Sequence, residues 1–491
     1  MIIRFKKIWI AGAILLCAVV PLQAFTLLGP LEGWQTTALG YDTRPERIDV
    51  GLGPMNLGEE YRWNLREITY AFDSSFLNYF GQTGVDAVEA AFQEISVIPS
   101  YSSLSTDLSE YPLETQRVNH RANALGLMDL KSYLMTIILE QIGLGAPERF
   151  TFTLRARAVV QNTTNYLVIN RNYDPITFEP SKFVNGTLYT YRIQEFTNPN
   201  FTDAIEQLVD PLATSFTSVA GGSSAVTSSL LVGGFYNGLT RDDVAGLRYL
   251  YRKSNYNVES MLGQGANTAS GRLSSPYLAT SGVSNTNLLS PTNTILNSPF
   301  LPIAGTNTTV TNAATTNTIT IPFIDPALRP GMDRVTFRRV DYDSLVGQNL
   351  DPEVISFTDT VILNGEETEQ GVTRVVTQPE ILITAEDLGV GGNSVAPIIA
   401  LRTGPGSNAT WTDNSGLNGN GNLSGPGVIQ SPVTISVSKL GGGLINTFPF
   451  SLDEVSGFPT LRWGSFDGTT NAPIVYPSGT SVADLEAQIA R

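Results

Sequence analysis

Residues 132–147, Ser-Tyr-Leu-Met-Thr-Ile-Ile-Leu-Glu-Gln-Ile-Gly-Leu-Gly-Ala-Pro, form the one long, nearly all-apolar helical pattern beyond the first two dozen residues. Leu130, Tyr133, Leu134, Ile137, Ile138 and Ile142 recur at helical spacing, and Met135 and Leu139 carry the apolar surface around the helix. A helix that is hydrophobic all round has to be buried. This stretch therefore predicts the spine of a core, with Glu140 and Gln141 as its polar interruption before Gly143, Gly145 and Pro147 stop it.

Upstream, residues 25–61 are rich in Gly and Pro and read as an extended lead-in. Ile68–Phe72 predicts a short strand. Thr83, with Asp86 three residues later, looks like a capping-box start for a helix through Val85, Val88, Ala91, Phe92 and Ile95, stopped by Pro99. Downstream the period changes to alternation, and Phe150–Leu154, Tyr166–Ile169 and Thr187–Tyr191 predict strands. Thr214–Ser229 is a loose Gly/Ser/Thr stretch. A helix then follows with Thr240 as N-cap, Asp243 as its partner and Val244, Leu247 and Leu250 on the apolar face.

From about residue 256 to 318 Ser, Thr, Asn, Gly and Pro dominate. A linker and a surface of short β-arches both fit this composition, and the low apolar content favours the linker. Strand signals return at Val335–Phe337, Val354–Leu363, Gly371–Gln378, Glu380–Thr384, Val433–Ser438 and Thr460–Trp463, separated by Gly, Asn and Asp turns. A Gly/Asn-rich insert, Gly404–Gly427, reads as an exposed loop, and Val482–Ala490 as a short C-terminal helix. The fold class expected is an α+β N-terminal domain (residues 25–255), a linker (256–318), and an all-β, sandwich-like C-terminal domain (319–491).

Arg4, Lys6 and Lys7 precede an apolar run, Ile8–Val20, and Pro21-Leu22-Gln23-Ala24. This is the pattern of a secretory signal peptide cleaved after Ala24. The run is too short for a typical transmembrane helix of about 20 residues. The single cysteine, Cys17, lies inside it, so the processed chain is expected to be cysteine-free, with no disulfide and no thiolate metal site. The formal net charge is −15, and removal of the basic start makes it more negative still. Such a chain repels nucleic acid and anionic lipid. Charged residues make up 15% of the chain, against roughly 25% in typical soluble domains. Ser, Thr and Asn carry the polarity instead, as suits an extracellular β-rich surface.

The segment Gly238-Leu239-Thr240-Arg241-Asp242-Asp243-Val244-Ala245-Gly246-Leu247-Arg248-Tyr249-Leu250-Tyr251 resembles the closing helix of matrixin-type (metzincin) metalloproteases. Thr69-Tyr70-Ala71-Phe72, followed by a helix with Ala90-Ala91-Phe92, is similar to their first βα unit. The resemblance implies a zincin-like N-terminal domain in which Ile138–Gly145 stands where the family carries its zinc helix. The first zinc ligand then falls on Glu140, the general base on Gln141 and the second ligand on Leu144; only Ile142-Gly143 matches. Two histidines at i and i+4 are what bring two ring nitrogens to one metal. An amide cannot serve as the base, an aliphatic side chain cannot ligate, and no histidine follows His120. The implied domain has lost its zinc site.

Other chemistry is sparse. His120 is the sole histidine, so any Ser-His-Asp arrangement must pass through it. Beside Asn119 and Arg121 it reads as a solvated side chain. Oxygen-rich turns hold calcium outside cells. Asp341 and Asp343 are the candidate ligands, with Asp73 and Asp467 at similar turns, against the reading that each bonds its own backbone. Asp242 and Asp243 fit the positive end of a helix dipole. The expectation is a secreted, non-catalytic cell-surface or extracellular structural or binding protein, without cofactor. Its partners would be an extracellular protein or polysaccharide, or a second copy of itself, and neither nucleic acid nor, once the leader is removed, membrane. The competing expectation is a secreted hydrolase, an atypical metallopeptidase or a carbohydrate-active enzyme with aromatics such as Trp411 or Trp463 lining its cleft.

Overall fold

The computed structural model describes residues 24–29, 53–54, 62–63, 65–197, 200–213, 219–220, 230–259, 308–312, 315–321, 327–376, 379–385, 388, 390, 410–411, 427–428, 433–434 and 462–489. The signal-peptide segment, most of the lead-in, the body of the 256–318 linker and of the Thr214–Ser229 stretch, and most of the Gly404–Gly427 insert lie outside them. The helices are α1 (Ser74–Ser96), α2 (His120–Ala124), α3 (Leu130–Gln141), α4 (Pro147–Phe150), α5 (Arg241–Tyr251) and α6 (Val482–Ile489). An N-terminal region mixing helices and strands is followed by a C-terminal region dominated by antiparallel strands.

Helix α3 is the spine that its sequence predicts. Asp129 caps it, accepting from Ser132 N at 2.8 Å, and every residue of the helix except Lys131 is buried. Each fully buried Leu or Ile contributes about 1.5–3 kcal/mol relative to exposure. It packs against α1, which begins earlier than the Thr83 signal suggests. Asp73 caps that helix by accepting from Ser75 N at 2.7 Å, and Phe72, Phe76 and Phe80 stack in series at 5.0 and 4.6 Å. Gly81, at φ 61°, interrupts the helix before it resumes, and the Thr83 hydroxyl bonds back to the Phe80 carbonyl instead of capping.

Strand Glu67–Phe72 lies inside a four-stranded parallel sheet. Thr336–Arg339 pairs on one side and Ile381–Ile383 on the other, followed by Val433–Thr434. A second parallel pair joins Leu127–Asp129 to Arg462–Ser465, with Ile474–Val475 antiparallel beyond. The two regions thus share one core: Val335, Ile381, Ile383, Leu388, Trp463 and Tyr476 belong to the same cluster as Phe76, Ile137 and Leu247. Arg62 is buried across the junction, donating to the carbonyls of Leu250, Asn255 and Arg329 at 2.8, 3.0 and 3.2 Å.

Three of the remaining strand pairs are hairpins with two-residue turns. Gln161-Asn162 joins Phe152–Val160 to Thr163–Asn170, Asn185-Gly186 joins Phe183–Val184 to Thr187–Thr197, and Asn364-Gly365 joins Glu353–Leu363 to Glu366–Val376. Both residues of each turn have positive φ. This is the geometry whose twist matches the flanking strands, and Asn and Gly reach it at least cost. The last hairpin continues through Ala327–Arg329 to Asn257–Glu259. Inside it a buried Arg329–Asp359 pair at 3.1 Å is closed by Gln370 Nε2 donating to Asp359 at 2.6 Å.

Among the described residues no helix is long and apolar enough to cross a membrane. One expectation is overturned: the chain is not cysteine-free, since it carries Cys17.

Candidate binding cleft

The residues standing at the zinc positions of the matrixin resemblance are sealed in the core. Glu140 is 2%, Gln141 0% and Leu144 1% exposed. Leu144 is a strand residue paired with Leu27. The Trp63 indole donates to the Gln141 carbonyl at 2.9 Å and the Tyr251 hydroxyl to the Ile142 carbonyl at 2.7 Å, closing the end of α3. Among the described residues, neither side-chain amide atom of Gln141 has a hydrogen-bond partner. His120 is exposed at the start of α2. Trp463 is buried, its indole donating to the Leu388 carbonyl at 2.9 Å, and so lines no cleft; the side chain of Trp411 lies outside the described residues.

The carboxylates of Asp73 and Asp343 serve their own backbones. Asp343 accepts from Leu345 N and Val346 N at 2.8 and 3.2 Å, in the turn between Tyr342–Asp343 and Gln348–Asn349. Asp341 is exposed, and its carbonyl accepts from Leu350 N at 2.9 Å. Asp73 caps α1. Among the described residues no three His, Cys, Asp or Glu side chains converge closely enough to hold a metal ion. Asp242 and Asp243 do more than answer a helix dipole. Both are buried, and they accept the N–H groups of Ala24, Asn185, Val219, Ala220 and Thr240. Burial pushes the Asp242 carboxyl well above its usual range and raises that of Asp243.

What opens to solvent is the other end of α3. A cleft of about 380 Å³ lies between α1 (Thr83, Asp86, Ala87), the start of α3 (Asp129, Lys131) and the segment 465–474. Helix α3 spans roughly 18 Å at 1.5 Å per residue, so the cleft is well removed from Glu140 and Gln141. It sits where the parallel strands Leu127–Asp129 and Arg462–Ser465 both end. The carboxyl ends of parallel strands are where open α/β sheets commonly receive ligands, because the chain turns away there and leaves a crevice.

Three carboxylates border this cleft. Asp129 accepts from Ser132 N and Oγ and from Phe466 N, and burial nonetheless pushes its carboxyl up to about 6. Asp86 accepts from Gln82 at 2.7 Å. Asp467 accepts from Thr469 N and Oγ1, which hold its carboxyl below the usual range. Lys131 is the cleft's cation and is already paired with Glu94 at 2.6 Å. Below them the Tyr476 hydroxyl shares a 2.8 Å hydrogen bond with Ser465 Oγ. Burial raises that phenol, and the charges of Asp129 and Asp86 raise it further.

Of these residues, Asp467 is a turn carboxylate already visible in the sequence. Asp129 could have been found as an N-cap ahead of the apolar run. Ser465 and Tyr476 carry no local signal, because only the sheet brings residues 129 and 465 together. Compared with protein-family models, curated proteins and solved structures, the chain matches none.

Proposed function

We propose that this chain is a non-catalytic binding protein that works outside the cytoplasm, with the cleft at the head of α3 as its working surface. The observation that carries the reading is the position of that cleft. The residues standing at protease positions are buried at one end of the helix, and the open crevice, bordered by Asp86, Asp129 and Asp467, is at the other. A buried amide and an aliphatic side chain supply neither a base nor a metal ligand. The basic start and apolar run of residues 4–24 support export.

A hydrolase is the second reading, favoured by one observation. Asp129, with its carboxyl raised to about 6 in a cleft, has the protonation behaviour of a general acid. Its oxygens, however, already accept from Ser132 and Phe466, as a helix cap and loop anchor do.

Zinc content of the purified protein, measured alongside hydrolysis of casein and of a panel of glycosides, separates the two readings. The binding reading expects no turnover. Turnover lost in Asp129→Asn would replace it with the hydrolase, and stoichiometric zinc with activity abolished by Glu140→Ala would replace it with a metallopeptidase.

A further inference from the structure

We propose that removal of the leader after Ala24 turns the backbone nitrogen of Phe25 into a buried α-ammonium, and that this ammonium is the counter-ion of Asp242. The proposal rests on the export half of the reading above. Two independent observations meet at one residue. The sequence places the cut after Ala24, and in the folded chain Ala24 N donates to Asp242 Oδ1 at 3.0 Å, across 218 residues.

Among the described residues Asp242 has no cationic partner. It is 1% exposed, and its donors are two neutral backbone groups, the N–H of Ala24 and that of Asn185. The charged neighbours that act on it, Asp243 and Glu148, have its own sign. Buried charges are normally paired, so the site is one positive charge short. Asn185 is a second mark of an incomplete site. It is fully buried, and among the described residues its side-chain carbonyl receives no hydrogen bond.

The cut delivers the missing charge. A leader peptidase adds water across the Ala24–Phe25 peptide bond; the carboxylate leaves on Ala24, and the amine stays on Phe25 and takes up a proton. Ala24 carries its N–H away with it, so Oδ1 loses a donor as Phe25 gains a charge. Phe25 is anchored where that charge forms. Its nitrogen donates to the Tyr173 carbonyl at 2.9 Å, and Tyr173 N returns the bond at 2.8 Å. Its ring stacks on Tyr249 of α5 at 5.6 Å, and Thr26 and Leu27 behind it pair with Gly145 and Leu144. A charge left without a partner at this buried residue would be costly. One extended residue spans about 3.3–3.6 Å, so a turn of the freed terminus brings the ammonium onto the vacated oxygen while one proton stays on Tyr173.

The test uses the full chain, expressed with its own leader and recovered from outside the cytoplasm. N-terminal sequencing should start at Phe25, and any other start overturns the proposal. Trace acetylation then reads the α-amine. It should react at least about tenfold more slowly in the folded protein than in urea, one tenfold step being about 1.4 kcal/mol; equal rates overturn the proposal. Gly-Ser inserted between Ala24 and Phe25 restores a neutral N–H ahead of Phe25 and moves the ammonium away, which separates charge from hydrogen bonding. In a double-mutant cycle, Asp242→Asn should lower the folding equilibrium constant at least about tenfold more with the natural terminus than with the extended one. Equal effects in the two backgrounds overturn the proposal. If Asp242→Asn folds in neither, the acetylation ratio of the unsubstituted protein decides alone. A chain that never leaves the cytoplasm overturns the export reading and this inference with it. A chain that is exported and starts at Phe25, with a freely reacting amine, overturns this inference alone.

Discussion

Gln141 is fully buried, and among the described residues both its side-chain amide atoms are unpaired. An unsatisfied buried amide costs about 1–3 kcal/mol, and an apolar side chain of similar volume removes that cost. Gln141→Met should therefore raise the urea midpoint, by about 1 kcal/mol of stability, where most core substitutions lower it. Asp129 makes a prediction of opposite kind, because its burden depends on pH. Its carboxyl rises from 3.8 to about 6 on folding, so the folded state binds its proton more tightly than the unfolded one. Below pH 3.8 both states are protonated and Asp129 carries no penalty. As pH rises to about 6 and beyond, the folded state must keep a buried charge, which costs at most about 3 kcal/mol. Asp129→Asn still caps α3 but presents an NH₂ to Phe466 N, a fixed loss. Chemical denaturation across this range should show the variant gaining on the wild type as pH rises through 4 to 6, and a flat difference would contradict the raised carboxyl. The burial of the C-terminal end of α3 was legible in the sequence, since apolar residues run all round the helix up to Ile142. Asp129 was not, because its environment is supplied by Phe466, which is distant in sequence.

Elements with a local cause were the readable ones. Helix α5 follows from Thr240 and Asp243, whose reciprocal capping box is present in full. Thr240→Ala removes the acceptor for Asp243 N and the donor to its carboxylate. It should lower stability by about 1–2 kcal/mol, measured as a shift in denaturation midpoint without loss of cooperativity. The Asn364-Gly365 turn has the same kind of local cause, yet the strand after it is read only from Gly371 in the sequence and begins at Glu366. Helix α1 was read from Thr83 because Gly81 hides the earlier turns; Phe76 and Phe80 are the signal on the other side of that break. Strand Leu127–Asp129 has three residues and no alternation, and it exists because Arg462–Ser465 pairs with it. Parallel partners leave no turn between them to read.

At the scale of the whole molecule, an N-terminal region of mixed helices and strands and a C-terminal β region were legible from composition and period, but their interlocking was not. The segment after Arg329 runs over the end of α5 so closely that a Cβ on Gly331 would stand 2.3 Å from the Arg252 carbonyl and 2.4 Å from that of Tyr251. Asp333 N then donates to the Tyr251 carbonyl and its own carbonyl accepts from Tyr101 N. Gly331→Ala meets rigid backbone with no flexible side chain to yield. It should cost about 3 kcal/mol, read as a fall in thermal midpoint that both regions share in one transition. The parallel sheet also has a consequence in time. Thr336 bonds to Arg66 across 270 residues, and Glu380 to Thr69 across 311. Synthesis proceeds at about 5–20 residues per second, so strand Glu67–Phe72 leaves the ribosome roughly 13–53 seconds before its first neighbour exists. Throughout that interval both its edges lack their partners, and a factor that covers exposed strand edges should raise the yield of correctly paired chain.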